Sequence, residues 1–198
     1  MIYLRRVDGN DLYGGGMEFD IGGVAPFFSL SNANPTVGPS EISLDDIVMS
    51  NGAIVVFSCL HCPYVVGSVD RIESLADKAR KNDIGFIAIN SNAGNKNYAS
   101  DSEENTRDAC EKGISYPFLI DRDQSVAEKW GAERTPEFYL IDNEKKLMYK
   151  GRFDDSPKNP MLSTTSEMND AVEQFLNGSK IEIQKTESIG CSIKWYFD

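Results

Sequence analysis

A chain of 198 residues with a formal net charge of -11 carries the wrong sign to be drawn to nucleic acid or to anionic lipid, so neither is expected as a partner. Apolar residues at 40% and charged residues at 26% lie close to globular averages, which excludes a disordered or fibrous chain and suits a single domain over residues 1–198. No apolar stretch approaches the roughly 18 residues of a membrane helix, residues 1–20 hold Arg5, Arg6, Asp8 and Asp11 where a secretory signal needs an apolar core, and four cysteines are too few for a disulfide scaffold; a soluble, cytoplasmic protein with reduced thiols is expected.

The first 40 residues are rich in Gly, Asn and Pro and predict loops and short strands, with 1–22 as an N-terminal extension. The run AIVVF at 53–57, behind Asn51-Gly52, predicts a buried central strand. Cys59-Leu60-His61-Cys62 follows at once. Pro63 then opens a helix expected to run to about Asn82, with Val65, Val69, Ile72, Leu75, Ala76 and Ala79 on its apolar face. A strand is predicted over 84–90, then an Asn-rich loop, a polar helix over 102–111, a strand over 116–121, a short helix through Val126 and Trp130, and a strand over 135–142. KKLMYKGRF predicts a further strand, paired with the one before it across Asn143-Glu144. Met168, Ala171, Val172, Phe175 and Leu176 mark a last helix ended by Gly178, and 179–198 form a C-terminal tail. Alternating strands and helices of this kind predict an α/β layered architecture.

Two cysteines separated by two residues, where a strand feeds a helix, let one sulfur attack a disulfide while the other resolves the mixed intermediate. The unpaired N–H groups and positive dipole end of the helix favour a thiolate there. His61, the only histidine, lies between the two and would lower a thiol pKa when protonated. On this reasoning Cys59 is the exposed nucleophile and Cys62 the resolving thiol. The same spacing also serves as half of a zinc site, for which His61, Cys110, Cys191 or carboxylates would have to supply the remaining ligands. Thr135-Pro136, just before a predicted strand, is a candidate for a cis peptide or for an edge-strand proline.

Strand, C-x-x-C, helix, then a distant Thr-Pro, strand and hairpin resemble in their order the thioredoxin-fold proteins, which implies a central mixed β-sheet flanked by helices and a cis-proline facing the cysteine pair. By that resemblance Thr135 and Pro136 would bind substrate. Ala25-Pro26-Phe27-Phe28-Ser29-Leu30, FSCLHCPY, AINSN with YASDSEEN, TPEFYLID, GRFDD and GCSIKW together resemble the peroxiredoxin-like AhpC/TSA family from about residue 24 to 195. The family implies redox chemistry on cysteine without a cofactor, a disulfide-containing protein or small molecule or a peroxide as substrate, and a cellular thiol as reductant. Its peroxidatic cysteine precedes a proline, as Cys62 precedes Pro63. Cys59 stands where the family has Thr, and the family's Arg position falls near Pro136, with Arg134 the nearest substitute. Thioredoxins place a buried carboxylate in the strand before the pair; here no Asp or Glu lies between Asp46 and Asp70, so His61, water or a carboxylate from elsewhere would have to move the proton. Asn90 and Asn92 are expected to border the site, and Cys110 to be a packed or surface thiol. Cys191 is expected either as a buried cysteine beside Trp195 or, with the tail folded back, as an additional resolving thiol. Three functions are therefore in view: a dithiol oxidoreductase attacking through Cys59, a thiol peroxidase with Cys62 peroxidatic and Cys59 resolving, and a metal-binding protein without enzymatic activity.

Overall fold

The computed structural model describes residues 19–196, so residues 1–18 of the expected extension lie outside the described residues. Strands β1 (Ser29–Asn32) and β2 (Glu41–Ser43) pair antiparallel and lead into a one-turn helix, α1 (Leu44–Ile47). Ser43 and Asp46 close a capping box around that turn, each bonding the other's backbone N–H. Strand β3 (Ala53–Phe57) occupies the span read from AIVVF.

The helix expected from Pro63 to about Asn82 is instead two, α2 (Pro63–Val66) and α3 (Val69–Lys81). The cause is tertiary. The chain at Pro157 and Lys158 crosses at Gly67, where a Cβ would meet the Lys158 Cα and the Pro157 carbonyl oxygen at 2.8 Å each. Ser68 Oγ, bonded to the carbonyls of Tyr64 (2.8 Å) and Pro157 (3.0 Å), ties the break to that crossing segment.

Next come β4 (Gly85–Asn90), a short 3-10 turn at Lys96–Asp101, α4 (Glu103–Glu111), β5 (Phe118–Ile120) and α5 (Ser125–Trp130). The buried Asp121 carboxylate accepts the N–H groups of Val126 (3.1 Å) and Ala127 (3.0 Å), groups that the start of α5 leaves without helical partners. The strand expected over 135–142 divides into β6 (Arg134–Thr135) and β7 (Glu137–Ile141) at a cis Thr135-Pro136 peptide. Strand β8 (Leu147–Gly151) forms a hairpin with β7. In its turn Asp142 Oδ1 accepts from Glu144 N (2.9 Å) and Lys146 N (2.8 Å). Helix α6 (Glu167–Leu176) is followed by Gly178 at a φ of +67°, the left-handed conformation that ends helices.

Seven strands assemble in the order β2-β1-β5-β4-β3-β7-β8. β3, β4 and β5 run parallel, while β7 joins β3, and β1 joins β5, antiparallel. The result is a mixed sheet with helices on both faces. β3 lies between two partners and beneath two layers, which is why all five of its residues are apolar. Ala53, Val55 and Phe57 face a core with Trp130 and Tyr139; Ile54 and Val56 face a second core with Ile72, Leu75 and Met168. Among the described residues no helix is long and apolar enough to cross a membrane.

The tail beyond α6 returns across the body. The Lys150 backbone donates to the Gln184 carbonyl and accepts from the Thr186 N–H, a parallel β-bridge beside Lys185, and a two-residue strand β9 (Cys191–Ser192) pairs antiparallel with β6, setting Cys191 opposite Thr135.

Candidate active site

Sequence order puts Thr135 and Cys191 far from the Cys59–Cys62 pair, and the fold gathers all four. β3 ends at Phe57, so the loop that follows carries Cys59 to the edge of the sheet, and Cys62 becomes the residue capping α2, with Pro63 in the first turn. β7 runs beside β3 and brings the preceding Thr135 to the same edge. Thr135 holds both thiols: its Oγ1 lies 3.2 Å from Cys59 Sγ and its carbonyl oxygen 3.1 Å from Cys62 Sγ. Pro136 is buried beside it.

Cys59, expected to be exposed, is only 1% exposed, and Cys62 is 0%. Pro63 turns the chain into α2 at once, and Val65 and the part-exposed Cys191 pack over the two sulfurs. An apolar cleft of about 440 Å³, lined by Leu60, Val66, Val69, Ile114, Tyr116 and Phe118, leads to Cys59.

A carboxylate from outside the β3 region does reach the pair. Asp101, 0% exposed, closes the 3-10 turn before α4. Its Oδ1 accepts the backbone N–H groups of Leu60 (2.8 Å) and His61 (3.2 Å), donors that the turn before α2 leaves without partners. Its Oδ2 accepts from Asn92 Nδ2 (2.9 Å) and pairs with His61 Nδ1. Asn90 Nδ2 holds the Asp101 carbonyl at 2.8 Å. The two asparagines read as bordering the site therefore fix its carboxylate. His61 stacks on Tyr98 with ring centroids 5.6 Å apart. Asp101 lies inside YASDSEEN, but no spacing rule links it to Cys59; only the packing of the turn at Lys96–Asp101 against the Cys59–Cys62 loop does so.

These contacts divide the two thiols electrostatically. Cys62 is lowered to about 4, first because the Cys59 thiol donates to its sulfur, and then because the Cys191 thiol and the N–H groups of Cys191 and Val65 add further donors. Burial opposes this, and the Cys62 thiol donates to the Thr135 carbonyl at 3.1 Å. Cys59 is pushed far up by the same hydrogen bond, by burial and by the Asp101 carboxylate. Cys191 is raised to about 11, chiefly by burial and then by the Cys62 sulfur. Burial and the Asp101 carboxylate thus raise the Cys59 thiol, while Cys62, at the helix start, is the lowered one of the pair.

Cys110 sits apart, 2% exposed in the core beneath α4, with its thiol pushed up to about 11 by burial. Arg134 is exposed, and its Nη1 donates to the Gly190 carbonyl at 3.1 Å, tying down the tail. Trp195, beyond β9, is 40% exposed.

Among the described residues one group of potential metal ligands lies together, with atoms of Cys59, His61 and Asp101 all within 4.8 Å of one another. Three donors fall one short of a closed zinc site, and both Asp101 oxygens already accept hydrogen bonds.

In fold and in sequence the chain is similar to an uncharacterized conserved protein from Geobacillus kaustophilus, at 34% identity over 91% of this chain and 94% of that one, with a TM-score of 0.83. A hypothetical protein from Sinorhizobium meliloti 1021 is similar at 31% identity over 90% and 96%, with a TM-score of 0.81. The thioredoxin domain of a thiol-disulfide oxidoreductase from Bacteroides vulgatus shares the fold at a TM-score of 0.55 and 16% identity, over 80% of this chain and 99% of that one. No curated protein matches. The Redoxin family model matches residues 22–172, a span that includes both buried thiols, Asp101 and the cis-proline, and on that match the chain belongs to the Redoxin family.

Proposed function

We propose that this Redoxin-family protein is a thiol-disulfide oxidoreductase that works through Cys59 and Cys62. The observation that carries the reading is that Cys59 and Cys62 pack together where β3 feeds α2, both held by Thr135, with Cys62 lowered to about 4 and so ionising to a thiolate at the helix start. Such a thiolate attacks a disulfide sulfur, and the neighbouring thiol then releases the product as an intramolecular disulfide forms. For Cys59 to complete that second step it must lose its proton. Asp101 and His61 are the groups placed to take it, since atoms of all three lie within 4.8 Å. The substrate is a disulfide in a protein or small molecule, a cellular thiol returns the electrons, and the cytoplasm is the proposed compartment.

The test is a redox titration of the full chain in glutathione buffers, with acid quenching and mass spectrometry. A reversible Cys59–Cys62 disulfide at a defined potential is expected; two thiols that stay reduced across the range would overturn the reading. One observation favours a second function, because the thiolate sits on Cys62, the cysteine before Pro63, where a peroxide would be attacked. Adding hydrogen peroxide to Cys59→Ser separates the two: a sulfenate trapped rapidly at Cys62 marks a peroxidase.

Asp101→Asn is expected to lower turnover of glutathione disulfide by about 10²-fold. An amide has one acceptor oxygen, so either orientation turns an N–H toward the donors of Leu60 and His61 or of Asn92. Removing the charge also removes a cause of the high Cys59 pKa, so Cys59 should ionise at lower pH than in the wild type. Unchanged turnover, together with an unchanged pH profile, would exclude a role for Asp101.

A further inference from the structure

Both cysteines of the pair are buried, Cys59 at the floor of the apolar cleft and Cys62 fully, and the one cysteine that packs against them is part exposed. Cys191 packs with Cys59, Cys62 and Val65. Its pairing opposite Thr135 places it across from the residue that holds both buried thiols.

The approach of the tail is built into the local sequence. Gly190 lies so close to β6 that a Cβ there would fall inside contact distance of the Thr135 carbonyl. Beyond Cys191, the buried Ile193 donates its N–H to the Glu133 carbonyl at 2.9 Å. Lys194 is then fixed on both sides of its backbone: its N–H reaches Asn92 Oδ1 at 2.9 Å, and its carbonyl accepts from Asn95 Nδ2 (2.9 Å) and Gln124 Nε2 (3.1 Å). Asn92 is the residue that also bonds Asp101, so one side chain anchors both the tail and the carboxylate beside Cys59.

We propose that Cys191 is a third redox-active thiol, which exchanges disulfides with Cys62 and so carries the redox equivalent between the buried pair and thiols in solution. The inference rests on the dithiol reading given above. In the exchange the Cys191 sulfur attacks Cys62 of the Cys59–Cys62 disulfide. The Cys62–Cys191 bond forms, the Cys59–Cys62 bond breaks, and Cys59 leaves with the proton that Cys191 gives up. An external thiol then attacks the part-exposed Cys191, forming a mixed disulfide with it and returning Cys62 as a thiol. Each step exchanges one disulfide for another, so no further oxidant is consumed. Run in reverse, the same steps take electrons from the pair to an external disulfide. Cys110, buried away from this cluster, takes no part.

The test maps disulfides by mass spectrometry without reduction, after equilibrating the full chain in glutathione buffers. Cys59→Ser is expected to accumulate a Cys62–Cys191 disulfide, and wild type exposed briefly to glutathione disulfide is expected to carry its first adduct on Cys191. Cys191→Ser should slow turnover of glutathione disulfide by about 10-fold or more, because the remaining thiols are less accessible, while its Cys59–Cys62 disulfide still forms at equilibrium. Gly190→Ala pushes β9 away from β6 with Cys191 intact; in the Cys59→Ser background it should suppress the Cys62–Cys191 disulfide and speed alkylation of Cys62. Absence of that disulfide in Cys59→Ser would overturn the relay, and so would unchanged or faster turnover in Cys191→Ser, which would make the tail a cover only. Failure of the dithiol reading itself shows separately, as a wild type that never forms the Cys59–Cys62 disulfide.

Discussion

Cys62→Ser is expected to cut turnover of glutathione disulfide on the order of 10³-fold or more, the scale of loss seen when an enzyme is deprived of its nucleophile. The argument runs through charge. Cys62 is lowered to about 4, by the Cys59 thiol first and by Cys191 and Val65 after it, so the reduced wild type is expected to hold a thiolate there. The thiolate fraction therefore stays high from neutral pH downward and falls only as pH drops through that value, whereas an ordinary thiol loses its charge below about 8.5. Thiolate ultraviolet absorbance reads this without any reagent entering the buried site. In Cys62→Ser the low-pH absorbance should vanish, since Cys59 remains buried against the Asp101 carboxylate and keeps its proton at neutral pH. Two substitutions at position 59 refine the point. Cys59→Ser keeps a donor to the Cys62 sulfur and should leave the low transition near its place, while Cys59→Ala removes the largest stabilising contact and should move it up. A low-pH thiolate that survives in Cys62→Ser would place the charge on Cys59 and reverse the roles.

Trp130→Ala should cost about 3–5 kcal/mol of folding stability, the range for emptying a buried aromatic site. Trp130 is 0% exposed at the centre of an aromatic cluster, with ring centroids 5.1 Å from Phe19, 5.3 Å from Tyr139, 5.9 Å from Phe28 and 6.1 Å from Phe57. Its Nε1 donates to the Pro26 carbonyl at 3.0 Å, and its own carbonyl accepts from Tyr139 Oη at 3.2 Å. Truncation therefore opens a large cavity and leaves the Pro26 carbonyl without this donor. For a chain of this length the loss corresponds to a midpoint lower by on the order of 10 °C. Urea unfolding with an unchanged slope and a reduced midpoint would confirm it, and a cost below about 1 kcal/mol would show that the cluster collapses onto the gap. The same contacts give Ala25-Pro26-Phe27-Phe28 a structural role in this chain: Pro26 presents a carbonyl to the indole, and Phe28 packs on its ring.

Strand and helix order followed from local patterns because the periodicities that mark them are local. AIVVF is apolar throughout because a strand with two neighbours and two covered faces admits nothing else, and Cys62-Pro63 starts a helix because proline needs no N–H partner there. The cysteine spacing and the strand-to-helix placement likewise indicated redox chemistry before any coordinates. The break in the helix at Gly67 and Ser68 could not be read this way, since the apolar series continues through it and the cause is a segment some ninety residues later at Pro157 and Lys158. The proton-accepting carboxylate was sought in the strand before the pair, where sequence offers none, while the fold supplies Asp101 from a turn after β4. Motif position points to Cys59 as the thiolate; the fold adds what local sequence does not contain, the Asp101 carboxylate that raises the Cys59 thiol and the Cys191 side chain packed on the pair. Local sequence thus determined which elements form and which residue types carry the chemistry. Tertiary structure alone decided which carboxylate faces the pair and which third cysteine touches it, because each depends on side chains brought together from distant parts of the chain.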